Sequence, residues 1–177
     1  AGAHTIASAY ATWHVSSHAK VFDRKYHAGA ETIVDRKPTR FASAPPPFVK
    51  TNIKTIAVNV GAQALHFFPD RVLIYDANGV GAVSYKELQV LVSSTRFVED
   101  GSVPRDAIVV DRTWRYVNKK GGPDRRFKDN RELPVCQYEE VALRSDTGLN
   151  ELLQISRLGS AAGFALAIAG LSRVMPR

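Results

Sequence analysis

The chain has 177 residues, of which 45% are apolar and 23% charged. This is the balance of a globular protein with a sizeable core, so folding is expected. Cys136 is the only cysteine, so an intrachain disulfide and a cysteine-held zinc are both excluded. The formal net charge of +7 points toward an anionic partner.

That charge is concentrated. Residues 112–131 hold eight Lys/Arg against two acids, whereas residues 51–111 hold five against seven. The longest apolar run, Ala161 to Leu171, is about half of the roughly 20 residues that a helix needs to cross a bilayer. It reads as a buried helix, and no transmembrane segment is expected. The chain opens at Ala1 in an Ala-rich stretch, so it reads as one domain of a larger polypeptide with flanking domains. The lone cysteine fits a reducing, cytoplasmic setting, peripheral to a membrane at most.

In chain order, residues 1–47 read as an N-terminal extension with short strands and a Pro-rich linker, and residues 48–177 as the main domain. Trp13, Val15, Ala19 and Val21 alternate as in a strand with one buried face. Ala44-Pro45-Pro46-Pro47 is extended for want of backbone donors. Short apolar runs follow, each ended by turn residues: Ile53–Val60 by Gly61, Leu65–Phe68 by Pro69-Asp70, Arg71–Tyr75 by Asn78-Gly79. Ala107–Val117 ends at Lys119-Lys120-Gly121-Gly122-Pro123. In Leu133–Leu143 the apolar parity shifts at Glu139-Glu140, which predicts a bulge or turn there. Leu149–Ile155 fits either a strand or a helix, and the strand is preferred. Ser160 is placed to cap a final helix whose Phe164, Ile168, Leu171 and Met175 share one face.

Asp76-Ala77-Asn78-Gly79-Val80 through Glu87 nearly spells a calcium loop, with Asp first, Asn third, Gly sixth and Glu twelfth. Val80 stands where an oxygen ligand is needed, and Val72–Tyr75 reads as a strand, so a hairpin at Asn78-Gly79 is expected instead. His4, His14, His18 and His27 crowd the N-terminus without the Glu of a zinc-protease helix, and His66 sits inside an apolar run. No metal and no cofactor is expected. Neither a Gly-x-Ser-x-Gly elbow nor a phosphate-binding Gly-x-x-x-x-Gly-Lys loop occurs. Cys136, in an apolar strand, reads as an inert core residue. Asp106, Asp111 and Lys119 could be assembled into a nuclease-like set, as could many sets from 17 acids.

The segment from Arg112 to Arg131 is the candidate site, through Arg115, Lys119, Lys120, Arg125, Arg126, Phe127, Lys128 and Arg131. Cations interleaved with Trp114, Tyr116 and Phe127 can hold anions and offer contact area. A second reading stands beside this one. Asp124, Asp129 and Glu132 could pair with the cations, and the aromatics could pack inward.

The run Asp70-Arg71-Val72-Leu73-Ile74-Tyr75 into Ala82-Val83-Ser84-Tyr85, and later Tyr138-Glu139-Glu140-Val141, resembles bacterial pleckstrin-homology-like and GRAM-like modules. Asp111 to Phe127 is similar to a segment of uncharacterised bacterial multidomain proteins. The likeness spans residues 50–175. It implies a mainly β (α+β) fold, a small barrel of about seven strands closed by a C-terminal helix. It also implies a binding or adaptor role, and it transfers no catalytic residue. The expected function is a non-catalytic interaction module, with a basic hairpin meeting an acidic protein face or an anionic lipid headgroup. The alternative is a nucleic-acid-binding or nucleic-acid-processing enzyme domain using the same segment as a clamp.

Overall fold

The computed structural model describes residues 2–20 and 32–174. Within them lie a short helix α1 (Gly2–Ala7), strands β1 (Thr12–Lys20), β2 (Thr32–Thr39), β3 (Ala42–Ala44), β4 (Thr55–Val60), β5 (Gln63–Phe67), β6 (Arg71–Asp76), β7 (Gly79–Ser84), β8 (Gln89–Val98), β9 (Ile108–Trp114), β10 (Glu132–Arg144) and β11 (Asn150–Ile155), and a helix α2 (Ser160–Val174). The expected mainly β chain with a terminal helix is thus present. The barrel is not: the strands form two antiparallel sheets that do not close. One is six-stranded in the order β2-β1-β11-β10-β8 with β9 beside β10, and the other is a five-stranded meander β3-β4-β5-β6-β7.

Residues 1–47, set apart in the sequence as an extension, contribute β1 and β2 to the first sheet and β3 to the second. β1 pairs with β11 near the far end of the chain, Thr12 opposite Ile155 and Val15 opposite Leu152.

The main core lies between the sheets. Val58, Val60, Leu65, Val72 and Val83 from the meander meet Val141, Leu143, Leu153 and Ile155 from the six-stranded sheet. Phe164 and Ile168 of α2 are buried in this core, and Leu171 packs against it. Met175 lies outside the described residues. Phe164 touches Phe41 and Phe67, with ring centroids 5.6 and 5.4 Å apart. The helix therefore plugs the gap between the sheets.

Ser160 does not cap α2 through its side chain, because its hydroxyl donates to the Arg157 carbonyl at 2.7 Å. The cap comes from β10: the Glu139 carboxylate accepts the N–H groups of Gly159 and Ala161 at 2.8 and 2.9 Å. A carboxylate suits this position twice over, as an acceptor for orphan amides and as a negative charge at the positive end of the helix.

Nor is there a bulge at Glu139-Glu140. β10 pairs with β8 in unbroken register from Val135 opposite Val98 to Arg144 opposite Gln89. The parity shift has another cause. Side chains alternate along a strand, so Val141 and Leu143 face the main core while Cys136 and Tyr138 face the other side of the sheet, where they too are buried. A second, smaller core covers that outer face, and Arg36 lies at its centre. Its guanidinium carbon is 3.9 Å from the Trp13 ring centroid and 3.7 Å from that of Phe97. The same group donates to Glu99 at 2.6 Å and to Gln154 at 2.7 Å, and the Tyr138 hydroxyl donates to the same Glu99 oxygen.

Candidate functional site

The basic segment is the connection from β9 to β10, and its backbone is held at both ends by asparagines. At the base, Asn130 accepts the Tyr116 N–H at 2.9 Å and returns its own amide to the Tyr116 carbonyl at 2.8 Å. The Arg115 N–H donates to the Arg131 carbonyl at 2.9 Å, closing the two legs. At the tip, the Asn118 side-chain oxygen accepts the N–H groups of Lys120 and Gly122 at 2.8 and 3.1 Å. The Asn118 N–H donates to the Gly122 carbonyl at 2.8 Å. Gly121 takes φ 85°, a left-handed backbone that a side chain would strain. Between tip and base the Tyr116 and Phe127 rings stack, with centroids 4.1 Å apart and planes 17° apart.

Within this frame the cations fall into two groups. Arg126 grips the buried Asp124 carboxylate with two donors, Nε at 2.9 Å and Nη2 at 2.7 Å. Arg115 lies 3.6 Å from Asp129, Arg112 lies 3.4 Å from Glu132, and Arg131 reaches across to Asp100. These pairings follow the self-paired reading, with Asp100 as a partner from outside the segment. Phe127 and Trp114 are half-buried and do not enter the main core. The other group is Lys119, Lys120, Arg125 and Lys128. All four are exposed, and none has a carboxylate within 4.0 Å among the described residues. The self-paired reading thus holds for Arg112, Arg115, Arg126 and Arg131 but not for the aromatics, and Lys119, Lys120, Arg125 and Lys128 lie outside it.

Composition flagged the cations and Phe127 but passed over Asn118 and Asn130, which position them. Their signal was an Asn two residues after Tyr116 and another three after Phe127. Asn at a turn commonly bonds backbone amides close by.

Elsewhere the tempting motifs resolve into local structure. Asp76-Ala77-Asn78-Gly79 is the tip of the β6–β7 hairpin, and Asp76 accepts the N–H groups of Asn78 and Gly79 at 2.7 and 3.1 Å. His14 is buried in β1, with Nε2 2.6 Å from Glu151. His4 is exposed in α1, and His27 lies outside the described residues. His66 is buried in β5, its ring edge-on to Tyr75 with centroids 5.2 Å apart. Its burial lowers its pKa from the usual 6.5. Among the described residues, no group of three His, Cys, Asp or Glu side chains gathers to hold a metal. Cys136 is fully buried, and that burial raises its thiol pKa, the opposite of what an activated nucleophile needs. Asp106 accepts the Tyr10 N–H at 2.7 Å, tying the β9 approach to the N-terminal segment, and Asp111 accepts the adjacent Arg112 N–H at 2.8 Å, so each carboxylate serves a backbone contact. No helix among the described residues is long and apolar enough to cross a membrane.

Comparison with protein-family models, with curated proteins and with solved structures finds no match.

Proposed function

We propose that this chain is a non-catalytic interaction module that holds an acidic protein surface on the β9–β10 loop. One observation carries the reading. Lys119, Lys120, Arg125 and Lys128 have no carboxylate within 4.0 Å among the described residues, on a loop whose backbone is pinned by Asn118 and Asn130 and braced by the Tyr116–Phe127 stack. Such a loop loses little conformational freedom when it binds, so more of its electrostatic attraction appears as affinity. The exposed part of Phe127 adds contact area beside the charges. The same reading sets the architecture beside the pleckstrin-homology-like modules, as an opened relative in which a meander, a second sheet and a C-terminal helix share one core. A protein face is preferred to a lipid headgroup because the loop's two aromatics, Tyr116 and Phe127, are half-buried and stacked on each other, so the loop presents charge rather than an apolar wedge.

The test compares wild type with the quadruple reversal Lys119→Glu, Lys120→Glu, Arg125→Glu, Lys128→Glu. Three probes are offered at low and physiological salt: an Asp/Glu-rich peptide, phosphatidylserine vesicles and single-stranded DNA. Wild type should bind the acidic peptide more tightly than the other two, with an affinity that falls as salt rises. The reversal should abolish that binding while the protein melts as before. Equal binding by the reversal would sink the proposal. Preference for vesicles or for DNA would replace it with a lipid-binding or a nucleic-acid-binding module.

A further inference from the structure

The two sheets end in strands whose outer edges have no partner among the described residues: β2, β8 and β9 in the first sheet, β3 and β7 in the second. A free edge is a row of unpaired N–H and C=O groups. Proteins protect it by shortness, proline, lysine or a bulge. β3 has three residues. β2 carries Lys37 and Pro38. β9 slips register opposite Val135 and Cys136. β7 contains Gly79 and Gly81, which weaken a strand.

β8 has none of these devices; α2 packs against it from the core, where Val90 joins Phe164 and Ile168, but forms no ladder with its backbone. Its ten residues, Gln89 to Val98, include no Pro, Gly or Lys and a single charge, Arg96. Its register is straight along its whole length. On the outer face a row of apolar side chains runs strand to strand from Val15 to Leu152, Ala142 and Leu91, and stops at this edge. Leu91 is 52% exposed there.

We propose that β8 pairs antiparallel with β8 of a second copy of the chain, joining two six-stranded sheets into one. An unprotected strand edge is complementary to another extended backbone, and β8 can serve as its own partner. The register follows from geometry. A two-fold axis relating antiparallel strands stands perpendicular to the sheet, so facing residues share parity and the axis passes through a residue. Centred on Ser94, the pairing sets Leu91 opposite the partner's Phe97 and Val90 opposite the partner's Val98. It also keeps Arg96 opposite the partner's Val92, away from its own copy. Aromatic–aliphatic and β-branched pairs of this kind are the favourable ones, and like charges facing each other are not. Centring on Ser93 would set Leu91 against the partner's Thr95 and Val90 against the partner's Arg96, a poorer match. The outer apolar row would then continue across the seam.

This pairing is independent of the basic loop, and salt separates the two. Two copies at +7 each repel, so screening should strengthen the dimer and weaken binding of acidic ligands to the loop. The experiment is sedimentation velocity over a concentration series at two salt levels. Wild type should pass from monomer to dimer with rising concentration, more readily at high salt. Ser94→Lys and Ser94→Glu each place like charges face to face at the axis. Each should raise the dissociation constant roughly tenfold or more, while the monomer's melting shifts little, since the one bond lost, from the Gln137 amide to the Ser94 hydroxyl, is exposed. An equimolar mixture of the two should recover a dimer. Ser94→Cys should cross-link on oxidation, because facing strand residues fall within disulfide reach. A wild type that stays monomeric throughout would overturn the proposal. So would a dimer indifferent to both substitutions, or one that the mixture fails to restore.

Discussion

Arg36 and Arg125 carry the same guanidinium in opposite surroundings. Arg36 lies between the Trp13 and Phe97 rings, with Glu99 at 2.6 Å and Gln154 at 2.7 Å. Arg125 stands on the β9–β10 loop, exposed and with no carboxylate near it among the described residues. A desolvated cation is tolerable only when its charge and its donors are answered, and the outer-face cluster answers both. A solvated cation needs no partner to be stable, so it stays free to meet one from outside. The contrast separates the charges that hold this fold together from those that can serve recognition, and net charge alone makes no such distinction.

The sharpest way to break the comparison is to make Arg36 resemble Arg125 without moving it into water. Glu99→Ala removes its counter-charge and, with it, the acceptor of the Tyr138 hydroxyl. Breaking a buried pair from one side costs about 3–5 kcal/mol. Chemical denaturation should show a loss of that size. A loss below about 1 kcal/mol, typical of exposed pairs, would mean that water reaches the cluster and that Arg36 is not truly desolvated.

How much of this was visible in the sequence depends on the range of the interaction. The hairpin at Asn78-Gly79 and the apolar face of α2 were legible because turn chemistry and helical spacing are local. The partnership of β1 with β11 was not, since strands distant in the chain carry no local mark of whom they pair with. The parity shift at Glu139-Glu140 was seen and misread. Alternation arguments assume one buried face, whereas β10 buries Tyr138 on one side and Val141 on the other. A strand with a core on each face looks, in sequence, like a strand with a bulge. In the basic loop the cations were legible but their division was not, because Arg131 finds Asp100 and Arg126 finds a buried Asp124, and neither distance nor burial can be read from composition.

Two smaller effects sharpen the comparison. Arg126 lies between the extremes: its own side chain is largely exposed, but the Asp124 carboxylate that it grips is buried. Arg126→Glu exchanges that grip for a like charge while Asp124 still accepts the backbone N–H of residue 126, and it should cost roughly 1–3 kcal/mol, the range for hydrogen bonds to a charged group. Thermal melting measures it. His66 is a buried titratable group with no carboxylate beside it among the described residues: its Nδ1 sits 3.4 Å from the Thr55 hydroxyl, and its ring is edge-on to Tyr75. Its pKa is lowered by burial from 6.5, so protonation favours the unfolded chain. Its contribution is therefore complete above pH 6.5 and is lost as pH falls through the lowered folded-state value. Stability followed from pH 7 to about 5, above the main carboxylate titrations, should decline in wild type and decline less in His66→Gln. Parallel curves would show that His66 protonates as readily in the fold as outside it.

The smallest expected effect on stability is the most informative about function. Arg125→Glu reverses a charge one residue before Arg126, in the same loop, with no ion pair to lose among the described residues. Substitutions at exposed positions away from caps and networks usually stay within about 0.5 kcal/mol, and the Asn118 and Asn130 bonds that shape the loop do not involve its side chain. Arg125→Glu should therefore melt with wild type while binding an Asp/Glu-rich peptide measurably more weakly, and the deficit should shrink as salt is raised. Arg126→Glu should show the reverse emphasis, destabilised first and weakened in binding only as the loop loosens. Measured side by side, the two neighbours decide whether the loop is divided as its geometry indicates. If Arg125→Glu destabilises as much as Arg126→Glu, both arginines hold the fold and the anion-binding set shrinks to the lysines.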